Sequence, residues 1–179
     1  GFIRKAKESK WLCVAVLKAE WGEGKTDAFE RYIRPYAEGA GDYAYCVATS
    51  TVLEILRRTN ELFPRGGTPS EIFLTCMFSA LAYELRSRPR RELEVPQYDG
   101  SEDARSYLIR VLREHFKRRP SARLFLFIDE FEEILLEPKD LQKRFLSGIR
   151  ELINGQFKPI HEGGEFEGRV HVILACTPY

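Results

Sequence analysis

The chain has 179 residues, 44% of them hydrophobic, which suffices for one α/β domain with its own core and leaves two independent domains cramped. Lys and Arg (28) nearly balance Asp and Glu (27), so the net charge of +1 gives no global steering toward nucleic acid or a membrane surface. Cys13, Cys46, Cys76 and Cys176 are far apart, with no Cys-x-x-Cys pair or His/Cys cluster, which argues against a zinc site and for free thiols in a reducing cytoplasm; no apolar stretch is long enough to span a bilayer.

The first apolar run, Trp11-Leu12-Cys13-Val14-Ala15-Val16-Leu17, reads as a buried strand. It leads into Glu20-Trp21-Gly22-Glu23-Gly24-Lys25-Thr26 and then into a helical pattern from Thr26 through Asp27 to Ile33, which meets Pro35. Strand, glycine-rich turn and helix in that order form the setting of a phosphate-binding loop. Glycines let successive N–H groups curl toward an anion, and the helix N-terminus adds about half an elementary positive charge. Lys25 is then expected to reach the β- and γ-phosphates, and Thr26 to place its hydroxyl on Mg²⁺. The full pattern asks for glycine where this chain has Ala19, a change tolerated if that residue keeps negative φ. Glu20 and Glu23 are expected to point outward. Trp21 either covers the nucleotide or wedges the loop against a helix, and the second reading is preferred.

Further along, Tyr43 to Thr49 reads as a second strand after the Gly39/Gly41 turn, and Val52 to Phe63 as a helix that Gly66-Gly67 ends. Thr68-Pro69-Ser70-Glu71 has the form of a helix start, with Thr68 as N-cap and Glu71 three residues on. Phe73, Met77, Phe78, Leu81 and Leu85 should turn that helix into the core. Arg86 to Gly100 reads as an exposed loop, and Ser101 to Arg119 as an amphipathic helix capped by Ser101.

Leu124-Phe125-Leu126-Phe127-Ile128-Asp129-Glu130 is the pattern of a fully buried parallel strand that delivers two carboxylates to its C-terminal edge, where open α/β sheets bind ligands. Asp129 is expected to hold Mg²⁺ through a water and Glu130 to orient and polarise an attacking water. Glu132, Glu133 and Glu137 read as a solvated acidic patch, Leu141 to Phe157 as a helix, and Phe157 to Gly168 as a loop. Val170 to Cys176 reads as a last strand, followed by Thr177-Pro178-Tyr179. Alternating strands and helices predict a three-layer α/β/α arrangement on a mostly parallel sheet.

Taken together, the Gly22 to Thr26 loop, the Asp129-Glu130 pair and Thr177, in that order with helices between, resemble the AAA+/STAND branch of the additional-strand P-loop ATPases, of archaeal or bacterial type. The resemblance covers nearly all of the chain, and its first two motifs are the specific ones. It implies a P-loop NTPase fold with ATP and Mg²⁺ as cofactors. It further implies a nucleotide-binding segment of Trp21, Gly22, Glu23, Gly24, Lys25, Thr26 and Asp27, metal ligation by Thr26 and Asp129, and catalytic roles for Glu130, Lys25 and Thr177, the last as a sensor near the γ-phosphate. Residues 1–179 then form one ATPase core with a helical segment at 68–120, expected to continue into an arginine-bearing segment and a helical lid.

Three classes of function compete: a cytoplasmic ATPase that couples turnover to change in a larger assembly, a nucleotide-gated switch whose arginine finger comes from a protein partner or a second copy, and a nucleic-acid-binding module. Arg86, Arg88, Arg90, Arg91, Arg113, Lys117, Arg118 and Arg119 would supply phosphate contacts for the third. They are interleaved with Glu84, Glu92, Glu94 and Glu114, which favours an ion-paired solvated face. His115, His161 and His171 are isolated and carry no catalytic expectation.

Overall fold

In the computed structural model, residues 1–20, 24–86 and 95–177 are described. Four strands, β1 (Val14–Lys18), β2 (Tyr43–Ala48), β3 (Leu124–Asp129) and β4 (Val170–Cys176), form one all-parallel sheet in the order β1-β4-β3-β2. The register sets Val16 beside Leu174, Leu126 beside Val172, and Cys46 beside Phe127. Every residue of β3 is buried, which is why its sequence is a continuous apolar run instead of an alternating one. Leu124, Leu126 and Ile128 face one core, and Phe125 and Phe127 face another on the opposite side of the sheet.

The smaller core is covered by α1 (Phe2–Glu8) and by a helical run of α2 (Lys25–Ala28), a π turn (Phe29–Ile33) and α3 (Arg34–Gly39). The sequence placed a helix end before Pro35, but the chain stays helical through it. The wide π turn precedes the proline, which then sits in the first turn of α3, where its missing N–H leaves no regular bond unmade. The β1 strand also starts later than its apolar run. Trp11 lies outside the strand, 44% exposed, with its ring 5.2 Å from that of His161.

The larger core is built by α4 (Thr49–Arg57), α6 (Pro69–Arg86), α7 (Ala104–Lys117) and α8 (Lys139–Ile153), with the short α5 (Thr59–Leu62) beside them. The single helix expected over Val52 to Phe63 is thus divided, with Arg58 outside helical geometry between the two pieces. The start of α6 follows the sequence pattern: Thr68 N–H donates to Glu71 Oε2 at 3.0 Å, and Glu71 N–H to Thr68 Oγ1 at 3.3 Å. At α7 the cap is Asp103, not Ser101; its carboxylate accepts from Ser106 N–H at 3.0 Å, three residues on. Helix α8 stops at Ile153, four residues before the expected end, because Gly155 takes φ +73 and turns the chain away.

The contact between α6 and α8 depends on Gly148. A methyl there would sit against Phe73 and 2.9 Å from the Pro69 carbonyl oxygen. Gly148→Ala is therefore expected to destabilise the fold by about 1–3 kcal/mol despite its better helix propensity, as read by urea denaturation.

Two histidines make the fold acid-sensitive. His171 accepts from Cys13 N–H through Nδ1 at 3.1 Å, so its other nitrogen carries the proton and donates to Gly168 O at 2.9 Å. Burial, with smaller contributions from neighbouring charges, pushes His171 down to about 4 and His115 down to about 3. Both stay neutral in the fold while the unfolded chain protonates near 6.5, so stability is complete above about pH 6.5 and falls as pH drops. Each histidine is expected to remove about 2 kcal/mol between pH 6.5 and 5. Urea midpoints across that window test this, with His115→Phe flattening the slope.

Candidate functional site

The C-terminal ends of β1, β4 and β3 lie side by side, and the expected site residues come from these ends. Past the strands, Ala19 N–H still donates to Cys176 O at 3.3 Å and holds the start of the loop against β4. Glu130 is the one non-glycine among the described residues with positive φ, so Ala19 keeps the negative φ that its methyl group requires. Gly24 has φ +69, a conformation in which a side chain is strained, and its carbonyl accepts from Ala28 N–H at 2.6 Å to open α2.

The first two residues of α2 reach across to the neighbouring strands. Lys25 Nζ donates to Thr177 Oγ1 at 2.9 Å and to the Ala19 carbonyl at 3.4 Å, so the ammonium spans the ends of β1 and β4. The Thr26 hydroxyl donates to Asp129 Oδ2 at the end of β3. Asp129 is 7% exposed; its other oxygen accepts from Glu130 N–H at 2.9 Å, and its carbonyl accepts from Thr49 Oγ1 at 2.7 Å. Those contacts fix the Asp129 carboxylate, which no cation neutralises directly in the contacts described.

Glu130 sits immediately beyond β3 at φ 55 and ψ 41, with its side chain exposed. Left-handed geometry in a glutamate costs of order 1–3 kcal/mol, and such strain concentrates at functional sites. The turn starts the 3-10 segment Phe131–Leu136.

Lys25 is thus bonded to Thr177 and Thr26 to Asp129, two hydrogen-bonded pairs set beside each other because Lys25 and Thr26 are consecutive, with Glu130 bonded to the second. Asp27 is turned along its own helix, in an exposed ion pair with Arg31 at 2.7 Å. Trp21, Gly22 and Glu23, assigned to the nucleotide, lie outside the described residues, as do Arg88, Arg90, Arg91, Glu92 and Glu94 of the basic segment.

One site residue was missed. Glu132, read from sequence as part of a solvated acidic patch, accepts from Thr177 N–H at 3.1 Å and from Thr177 Oγ1 at 2.8 Å. Nothing in the sequence separates it from Glu133 or Glu137, because the 3-10 turn alone brings it back over the end of β4. Burial raises the Glu132 carboxyl, but its own backbone N–H and the two Thr177 donors outweigh this and leave it below the usual glutamate range. Glu133 is pushed the other way, first by burial and then by the charges of Glu130, Glu132 and Glu137. Glu137 instead pairs with Arg57.

Among the described residues no group of three or more His, Cys, Asp or Glu is placed to hold a metal alone. Thr26 and Asp129 supply a hydroxyl and a carboxylate in direct contact, a hard-oxygen pair suited to Mg²⁺, which usually takes one or two protein oxygens and completes its shell with phosphates and water. Comparison with known proteins adds nothing to this geometry. No protein-family model, curated protein or solved structure matches the chain.

The alternative partners find less support. Arg113 forms a two-point pair with Glu165 at 2.6 and 2.8 Å, and the Arg119 guanidinium lies over the Tyr43 ring at 4.9 Å. Both positive groups are engaged within the fold. Among the described residues no helix is long and apolar enough to cross a membrane, and the four cysteines are free.

Proposed function

We propose that this chain is a P-loop ATPase core of the three-layer α/β/α type, which binds Mg·ATP at the C-terminal edge of its sheet and hydrolyses it. The observation that supports this most is the strand order. β4 lies between β1 and β3, so three adjacent parallel strands and the first turn of α2 bring Lys25 within hydrogen-bonding reach of Thr177 and Thr26 within reach of Asp129. Lysine, hydroxyl and carboxylate at one sheet edge, at the start of a helical run, are what a triphosphate with a divalent cation requires.

In this reading Lys25 leaves Thr177 and the Ala19 carbonyl to meet the β- and γ-phosphates, and the N–H groups at the start of α2 add their dipoles. Thr26 and Asp129 would hold Mg²⁺ through their hydroxyl and carboxylate oxygens. The ion held there would offset the charge that develops on the phosphate oxygens. Glu130 orients and polarises the attacking water from its strained position. Positioning and charge stabilisation supply most of the rate in such transfers.

A nucleotide-gated switch with little turnover is the second reading, favoured by the Lys25, Thr177 and Glu132 network. Phosphates must break that network to recruit Lys25, which ties occupancy to the end of β4. An arginine from a protein partner or a second copy then completes the charge neutralisation. Steady-state phosphate release by the purified chain decides between the two. Multiple turnovers support the ATPase, one or fewer supports the switch, and no saturable binding of Mg·ATP refutes both.

A further inference from the structure

We infer that Glu132 is a positioning residue for this site: it fixes the hydroxyl of Thr177 so that Thr177 presents its lone pairs, not its proton, to whatever Lys25 occupies. This rests on the ATPase reading above and assigns a residue and a direction that the motifs do not contain.

Thr177 Oγ1 has one proton and two lone pairs. Lys25 Nζ is a donor without acceptor capacity, so at 2.9 Å the hydroxyl accepts from it. The Glu132 carboxylate has acceptor capacity only, so at 2.8 Å the hydroxyl donates to it. The single proton of Thr177 is therefore committed to Glu132. The second carboxylate oxygen takes Thr177 N–H at 3.1 Å, and this two-point grip fixes the backbone as well as the side chain. Glu132 is ionised for this role, its carboxyl lying below the usual range through these same donors.

Two consequences follow for the chemistry. Thr177 cannot donate to a γ-phosphate oxygen while Glu132 holds its proton, so its function is to accept, from Lys25 or from the attacking water. The hydroxyl also holds the Lys25 ammonium at the C-terminal end of β4, from which it can transfer to phosphate. Glu132 reaches no reacting atom itself and acts through Thr177.

The test is a double-variant cycle on the purified chain, with Mg·ATP binding by calorimetry and phosphate release at saturating Mg·ATP. Glu132→Gln keeps size and one acceptor oxygen but loses the charge, Glu132→Ala removes the grip, and Thr177→Val removes the hydroxyl. Glu132→Ala and Thr177→Val are each expected to lower kcat about tenfold with Mg·ATP affinity within about twofold, the loss of one charge-assisted hydrogen bond. The double variant is expected to be no slower than the slower single. Glu132→Gln should fall between wild type and Glu132→Ala. Independent, multiplicative losses, unchanged kcat in either Glu132 variant, or a parallel loss of affinity would overturn the positioning role while leaving the ATPase reading intact. Absence of turnover in the wild type would overturn it together with the ATPase reading and leave the switch, and absence of binding would remove the switch as well.

Discussion

Lys25→Ala is expected to weaken Mg·ATP binding on the order of a hundredfold, equivalent to about 3 kcal/mol for a charged donor facing phosphate oxygens. The ammonium sits at the junction of β1 and β4, held by one hydroxyl and one backbone carbonyl. Both are neutral acceptors, and a phosphate offers it a stronger, charge-assisted bond. Removing the side chain releases Thr177 from one contact only, since Glu132 still holds it, so the fold should keep its urea midpoint within about 0.5 kcal/mol. Titration calorimetry on both proteins measures the affinity. Equal affinity in wild type and variant would remove Lys25 from the site.

The second large effect is expected at Glu130. Glu130→Gln should retain Mg·ATP binding and lower turnover by about 10²–10⁴-fold, the range for loss of a positioned base. The residue carries a further signature. Its backbone is left-handed at φ 55, a conformation that glycine adopts without strain, so Glu130→Gly should stabilise the fold by about 1 kcal/mol while abolishing turnover. A residue that lowers stability where it stands and raises activity is maintained for activity. Glu130→Gly that lost both stability and turnover would point to a structural role.

The parts legible in the sequence were those set by local composition. The β3 and β4 strands are buried on both faces, and a continuous apolar run such as Leu124 to Ile128 reads as such a strand. The capping pattern at Thr68 and Glu71 reads directly because both partners lie within one turn. The same reasoning misplaced the cap of α7, where Ser101 and Asp103 both qualify and only the path of the chain chooses Asp103. It ended a helix at Pro35 because a proline penalty is local, whereas the π turn that accommodates it is a property of the whole run. Helix α1, basic and only seven residues long, gave no strong periodic signal.

For the candidate site, Lys25 and Thr26 at the start of α2, Asp129 at the end of β3 and Thr177 past β4 were legible as residues of separate segments. Their meeting depends on strand order, which arises from crossovers and not from any single segment. Glu132 was illegible for a different reason: three glutamates stand close together after Glu130, and a turn of 3-10 geometry selects one of them for Thr177 and leaves another for Arg57.

The most direct test of the central claim is a titration of the ¹⁵N-labelled chain with Mg·ATP, following backbone amide resonances. Saturable shifts are expected at Gly24, Lys25, Thr26, Glu130 and Thr177, the positions at the C-terminal edge of the sheet, with little change at Tyr98 or Gly155 away from the strand ends. Shifts centred on other residues, or none at millimolar Mg·ATP, would contradict it.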